Sequence, residues 1–189
     1  MNTSDLTALS TELALLGFVH QRPTYGYEIY QRVTASPELR LVWRFKQSRL
    51  YAMLARLEDG GYLHATQETQ DGRPPRKVFH LTQTGKLAFE EWLSQPVAQP
   101  REMRLAFMLK LYFAGEVSPK AVALLIRRQQ EVCVQWLALQ EREDDLDAPF
   151  VRAVRGYRRS HIEAIRDWLT TLVDDPVAAG TASPIPQPH

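Results

Sequence analysis

Between Leu39 and Leu57 the charged side chains are Arg40, Arg44, Lys46, Arg49 and Arg56, with no carboxylate among them. Cations concentrated in this way suit phosphate oxyanions, and the affinity they provide falls as salt rises. Gln47 and Arg49 carry groups that can read base edges. A second basic group, Arg73, Arg76 and Lys77, surrounds the turn-rich segment Asp71-Gly72-Arg73-Pro74-Pro75-Arg76. It is suitably placed for an adjacent backbone or minor groove. A charge run is ordinarily just a solvated helix face. Nucleic acid is favoured here because an apolar stripe, a basic helix end and a basic loop coincide.

These residues need elements to hold them. Leu6, Leu9, Leu13 and Leu16 recur at spacings of three and four, predicting an amphipathic helix that serves as core or as a dimer seam. Gly17, then Pro23, mark its end or a bend. Thr24 is placed to cap a second helix with Ile29 and Val33 inward, and Ser36-Pro37 stops it. A third helix starts near Ser48, with Leu50, Met53, Leu54 and Leu57 on one face, and Gly60-Gly61 ends it. Arg56 extends the exposed side of that helix. Two extended stretches, Leu63–Gln70 and 77–82, read as a β-hairpin. Thr82 then caps a helix through about Leu93, although Gly85 stands where a glutamate would complete a capping box.

Residues 95–100 are the best candidate linker. Beyond them the pattern is helical. Met103, Leu105, Phe107, Met108, Leu109, Leu111 and Phe113 are dense enough to be buried on most sides. Ser118-Pro119 is a good helix start. Val122, Leu125, Gln129, Val132, Trp136, Leu139, Glu143 and Leu146 hold a heptad rhythm suggesting a coiled-coil-like seam, which Asp147-Ala148-Pro149 breaks. A last helix carries Val154, Tyr157, Ile162, Ile165, Trp168, Leu169 and Leu172. The tail, residues 174–189, is rich in Pro and small residues and is expected to be disordered.

The composition excludes more than it assigns. A net charge of +1 means that any basic surface must be local rather than global. Cys133 is the single cysteine, so an intrachain disulfide and a Cys-rich zinc site are both excluded. No apolar run reaches a membrane span, and the amino-terminal residues carry no basic leader. A cytoplasmic protein is expected. No phosphate loop, metal-ligand cluster or nucleophile elbow is present, and Glu141, Glu143, Asp144 and Asp145 look like a solvated helix end. The reading is a protein without catalytic function, cofactor or metal.

Three helices followed by a hairpin with a basic tip is the order of a winged helix-turn-helix. The expected fold is mainly α with a small β-hairpin. Residues 1–95 form a winged helix-turn-helix DNA-binding domain and 96–173 a C-terminal α-helical domain for dimerisation and effector binding. Several segments also resemble one family. Leu15-Leu16-Gly17-Phe18-Val19 and Tyr25-Gly26-Tyr27-Glu28-Ile29 resemble the opening of the PadR family of transcriptional regulators. Residues 48–58, Gly61-Tyr62-Leu63 and residues 76–85 look like its third helix, the residues after it, and its second wing strand. Residues 107–113 are similar to the start of the longer C-terminal domain in its phenolic-acid-regulator branch. Ala52 stands where that family often has proline, and Thr24 where histidine commonly precedes the Tyr-Gly-Tyr-Glu run.

The resemblance implies a dimeric regulator, commonly a repressor, on a pseudo-palindromic double-stranded DNA operator, released by a small, often aromatic, molecule. It implies DNA contacts from Tyr25, Lys46, Gln47, Ser48, Arg49 and Tyr51, and from Arg73, Arg76 and Lys77 in the wing. An effector site is sought at Trp43 and at Arg155, Tyr157, Arg159 and His161, where arginines pair with carboxylates and aromatics stack. Against it, Trp43 and its neighbour Phe45 suit core packing. The Arg152–His161 segment also suits a basic helix face with a partly buried histidine. Cys133 reads as packing, since Glu131 nearby disfavours a thiolate. Two rival functions remain: a winged-helix protein-interaction module meeting an acidic partner, and a small-molecule-binding protein without operator binding.

Overall fold

The computed structural model describes residues 10–70, 73–142 and 148–173. These divide into two compact units. One comprises the described residues through Leu93 together with Arg104–Phe113. The other comprises Ser94–Met103 and the described residues from Ala114 onward.

In the first unit, α1 (Ser10–Gln21) is central rather than one-sided. Leu13, Ala14, Leu15, Leu16, Phe18 and Val19 are all buried, as expected of a helix apolar all round. Leu6 and Leu9 lie outside the described residues. Gly17 does not end this helix; it lies within it, against the ring of Phe113. That ring also meets Phe18 edge-on at 5.2 Å and Phe89 at 6.0 Å.

Thr24 is not a cap. With Tyr25 it forms a short strand, β1 (Thr24–Tyr25), and its buried hydroxyl donates to Glu28 Oε2 at 2.6 Å. Tyr25 is the residue before α2 (Gly26–Ala35), and it makes no side-chain cap bond. Ser36 ends α2, but it also begins another helix. Its Oγ accepts from Leu39 N at 3.1 Å, and Pro37 supplies a preset first turn to α3 (Pro37–Val42). Four described helices, rather than three, therefore precede the hairpin. The fourth is α4 (Gln47–Asp59), with Leu50, Met53, Leu54 and Leu57 buried. Burial of each such side chain contributes roughly 1.5–3 kcal/mol. Gly61, at φ +72°, takes the left-handed turn that ends it.

The hairpin is β2 (Leu63–Gln70) and β3 (Arg73–Leu81). β1 adds to it antiparallel, giving the order β1-β3-β2. β3 starts four residues nearer the tip than the 77–82 stretch predicts. The turn residues Asp71 and Gly72 lie outside the described residues. Thr82 caps α5 (Gln83–Ser94) as expected, its Oγ1 accepting from Gly85 N at 2.9 Å. The same hydroxyl donates to Gly61 O at 2.7 Å. Gly85 has a physical reason: a Cβ there would overlap the carbonyl oxygen of Tyr62. This arrangement, helices feeding an exposed helix and then a three-stranded antiparallel sheet, is a winged helix.

A short 3-10 helix (Pro100–Arg104) precedes α6 (Ala106–Val117), which belongs to the first unit as far as Phe113. The second unit is built on α7 (Pro119–Arg142) and α8 (Pro149–Val173). Ser118 Oγ accepts from Ala121 N at 3.2 Å, the expected cap. Gln130 faces Thr170 and Cys133 faces Arg166, so the two helices run antiparallel. The heptad rhythm does not hold as a strict seam. Val122, Leu125, Ile126, Gln129, Cys133 and Trp136 are buried, while Leu139 is 57% exposed. A straight helix drifts from a 3.5-residue repeat, which carries the buried face onto Ile126 and Cys133. Glu143 and Leu146 lie outside the described residues. On α8, Ile162, Ile165, Leu169 and Leu172 are buried, but Tyr157 is not.

The segment read as a linker is held by its backbone. Val97 N donates to Gln129 Oε1 at 2.8 Å and Gln129 Nε2 donates to Val97 O at 3.3 Å. Arg128 bonds Ser94 O at 2.8 Å, and Trp136 Nε1 bonds Ala98 O at 2.9 Å. The expected disordered tail, 174–189, lies outside the described residues.

Candidate nucleic-acid interface

The buried face of α4 fixes what its other face shows. With Leu50, Met53, Leu54 and Leu57 inward, Lys46, Gln47, Ser48 and Arg49 crowd the exposed N-terminal end. None of these four side chains has a hydrogen-bond or ion-pair partner among the described residues. The first turn holds no acid, so its unpaired amides and the positive end of the helix dipole add to the cations. Tyr51, 44% exposed, rests its ring against Gly26 at the start of α2.

Carboxylates distant in sequence take other cations out of this surface. Arg56 is gripped by Glu12, Nε to Oε1 at 2.9 Å and Nη2 to the same oxygen at 2.5 Å. That hydrogen bonding raises the guanidinium pKa further. Lys77 Nζ lies 2.5 Å from Glu58 Oε2 and 5.5 Å from the centre of the Phe79 ring. The wing residue facing outward is Arg76, exposed and opposite Glu68 in the strand register. The Arg73 side chain lies outside the described residues, and its backbone pairs with Gln70. The Tyr25 hydroxyl donates to Glu68. This bond raises the phenol pKa; burial and the Glu68 and Glu28 charges add to the rise, while Arg76 opposes it.

Trp43 is 5% exposed and meets Phe45 edge-on at 4.9 Å. It packs in the core and also lines a cleft of about 220 Å³ with Val33, Thr34, Arg40, Arg44 and Phe45. The other candidate effector residues lie on α8, in the second unit. Tyr157, 71% exposed, stacks on His161 with centroids 6.0 Å apart and planes at 9°. His161 is exposed, not partly buried. Arg159 Nε pairs with Glu163 at 2.9 Å, and Arg155 is half-buried with interactions of its own.

Sequence reasoning missed Glu12, Glu58 and Glu68, which decide where three candidate groups point. Their separations of 44, 19 and 43 residues leave no local signal.

Residues 15–91 match the Transcriptional regulator PadR-like family. That stretch runs from within α1 to within α5, so the likeness resides in the winged helix. The chain is 29% identical over 116 residues to the negative transcriptional regulator PadR of Bacillus subtilis, covering 61% of this chain and 63% of that protein. It is 26% identical over 91 residues to a "probable transcriptional regulator" of Mycobacterium tuberculosis, covering 48% of this chain and 47% of that one. The chain thus spans less than two thirds of either relative. The crystal structure of Bacillus subtilis PadR in complex with operator DNA is similar at a TM-score of 0.44 and 23% identity, over 86% of this chain and 97% of that one. Among the described residues no group of three or more His, Cys, Asp or Glu is arranged to hold a metal ion. No described helix is long and apolar enough to cross a membrane.

Proposed function

We propose that this chain is a PadR-family transcriptional regulator that binds an operator as a cytoplasmic homodimer and acts as a repressor. The observation that carries the reading is the exposed run Lys46–Gln47–Ser48–Arg49, without side-chain partners among the described residues, at the start of a helix whose opposite face is locked into the core. Beside it the antiparallel hairpin offers Arg76 to a neighbouring phosphate. In this reading Gln47 reads a base edge and Arg49 reaches a phosphate. Lys46, Ser48 and Arg76 hold the backbone, and Tyr25 and Tyr51 add contacts beside the helix. Residues 1–95 serve as the DNA-binding domain and 96–173 as the helical domain that pairs two copies and takes part in effector response. The two recognition helices then sit about one DNA turn, roughly 34 Å, apart.

Mobility-shift titration on the DNA flanking the protein's own gene tests this. Binding at low salt that is lost in Arg49→Ala combined with Arg76→Ala supports it. No binding at low salt, or binding unaffected by that pair, refutes it. The small aromatic effector of the phenolic-acid-regulator branch is part of the same reading. The Trp43 cleft, with Arg40 and Arg44 at its side, is one place that offers a stacking surface and cations for a carboxylate. Arg155, Tyr157, Arg159 and His161 on α8 are the other.

A further inference from the structure

The base of the hairpin carries a pair of side chains that the nucleic-acid reading does not use. His64 on β2 and His80 on β3 are direct cross-strand partners. Their rings stack with centroids 4.8 Å apart and planes at 14°. His64 is exposed and His80 half-buried. Thr66, two residues along on the same face as His64, places its Oγ1 2.9 Å from His80 Nε2.

We propose that His64 and His80 form a two-histidine site for a transition-metal cation of the Zn2+, Ni2+ or Cu2+ class, bridging β2 and β3. Imidazole nitrogen is a preferred ligand for these ions. A ligating ring must offer a lone pair while its other nitrogen is oriented by a partner, and Thr66 supplies that partner. With His80 Nε2–H donating to Thr66 Oγ1, the lone pair lies on Nδ1. A bound ion selects this tautomer over the one in which Thr66 donates. Metal–nitrogen distances of about 2.0–2.1 Å at a tetrahedral angle place the two nitrogens about 3.4 Å apart. In the observed stack the ring planes are nearly parallel, at 14°, whereas a shared ion lies in the plane of both rings, so the exposed His64 ring turns out of the stack to bind. Water completes the shell. Glu68, further along the same face, is taken by Tyr25 and does not join. The site stands independently of the DNA reading, because it concerns only the strand register and the two rings.

Calorimetric titration of the full chain with ZnCl2, NiCl2 or CuCl2 alone, in a buffer that does not chelate, is the test. The expected result is one cation per chain, with a metal-dependent rise in melting temperature. His64→Phe keeps an aromatic ring for stacking and removes a ligand, and His80→Ala removes the other. Each is expected to weaken binding at least about tenfold and to abolish the thermal shift. Thr66→Val leaves both ligands but loses the orienting contact, and weakens binding by about tenfold. Circular dichroism of the metal-free variants shows whether they fold; His64→Gln replaces His64→Phe if that variant does not. Three results overturn the proposal: no binding by the wild type, binding that survives either histidine substitution, or loss in one variant only. Surviving binding would belong to other histidines of the chain.

Discussion

The contrast between Arg49 and Lys77 puts the proposed interface at risk. Both are cations that sequence reasoning assigns to DNA, yet the fold treats them differently. Arg49 is exposed with no side-chain partner among the described residues, whereas Lys77 is held 2.5 Å from Glu58. Each phosphate contact contributes about 0.9 to the slope of log K against log salt. In a homodimer Arg49→Ala removes two contacts, so the slope should become shallower by about 1.8. Over a fourfold rise in salt, the wild type then loses about twelvefold more affinity than the variant does. Lys77→Ala should leave the slope nearly unchanged, because no free ammonium is removed. Glu58→Gln should steepen it by releasing Lys77 toward the DNA. Fluorescence anisotropy with a labelled operator across a salt series measures all four proteins. Lys77→Ala flattening the slope as much as Arg49→Ala would refute the assignment of Lys77 to Glu58 in the bound state.

Three further outcomes test the architecture. Gln129→Leu leaves the Val97 N–H and C=O without partners in a buried site, at about 1–3 kcal/mol each. Denaturant unfolding should show a loss of roughly 2–6 kcal/mol, and a change within experimental error would remove Gln129 from that role. Gly85→Ala adds helix propensity of about 1 kcal/mol but drives a methyl into the Tyr62 carbonyl. A net destabilisation of about 1–3 kcal/mol is expected; a raised Tm contradicts the close approach. Burial pushes the Cys133 thiol up to about 11, against the opposing effects of Arg166 and Gln129. The native thiol should therefore react slowly with a disulfide reagent near neutral pH and roughly tenfold faster per pH unit until that value. It should react rapidly once the chain is unfolded. Equal rates in native and unfolded protein would mean that the side chain is not buried.

What was legible in the sequence follows the range of the interactions. The stripe of Leu50, Met53, Leu54 and Leu57, the caps at Thr82 and Ser118, and the hairpin from Leu63 all rest on neighbours within a few residues, and each stands in the structure. Local patterns misled where a residue serves two elements. Ser36 both stops one helix and starts the next. Thr24 looks locally like a cap because nothing nearby shows that Phe79, in β3, pairs with it. The heptad rhythm overreached because an ordinary helix turns every 3.6 residues, so the buried face passes to Ile126 and Cys133 and leaves Leu139 outside.

The candidate site divides along the same line. Its four exposed residues lie side by side at the start of α4, so their coincidence is visible in the bare sequence. The acids that shape the rest come from α1, from the end of α4 and from β2. Counting cations in the stretch from Leu39 to Leu57 includes Arg56, whose charge is balanced by Glu12 from the first helix. Counting cations in the wing includes Lys77, balanced by Glu58. Once these pairs are removed, the outward positive charge among the described residues of these two stretches lies at Arg40 and Arg44, at the start of α4 and at Arg76. That is a narrower footprint than the composition suggests. An interface of this kind draws specificity from side chains at one helix end, with fewer phosphate contacts than the basic residue count implies.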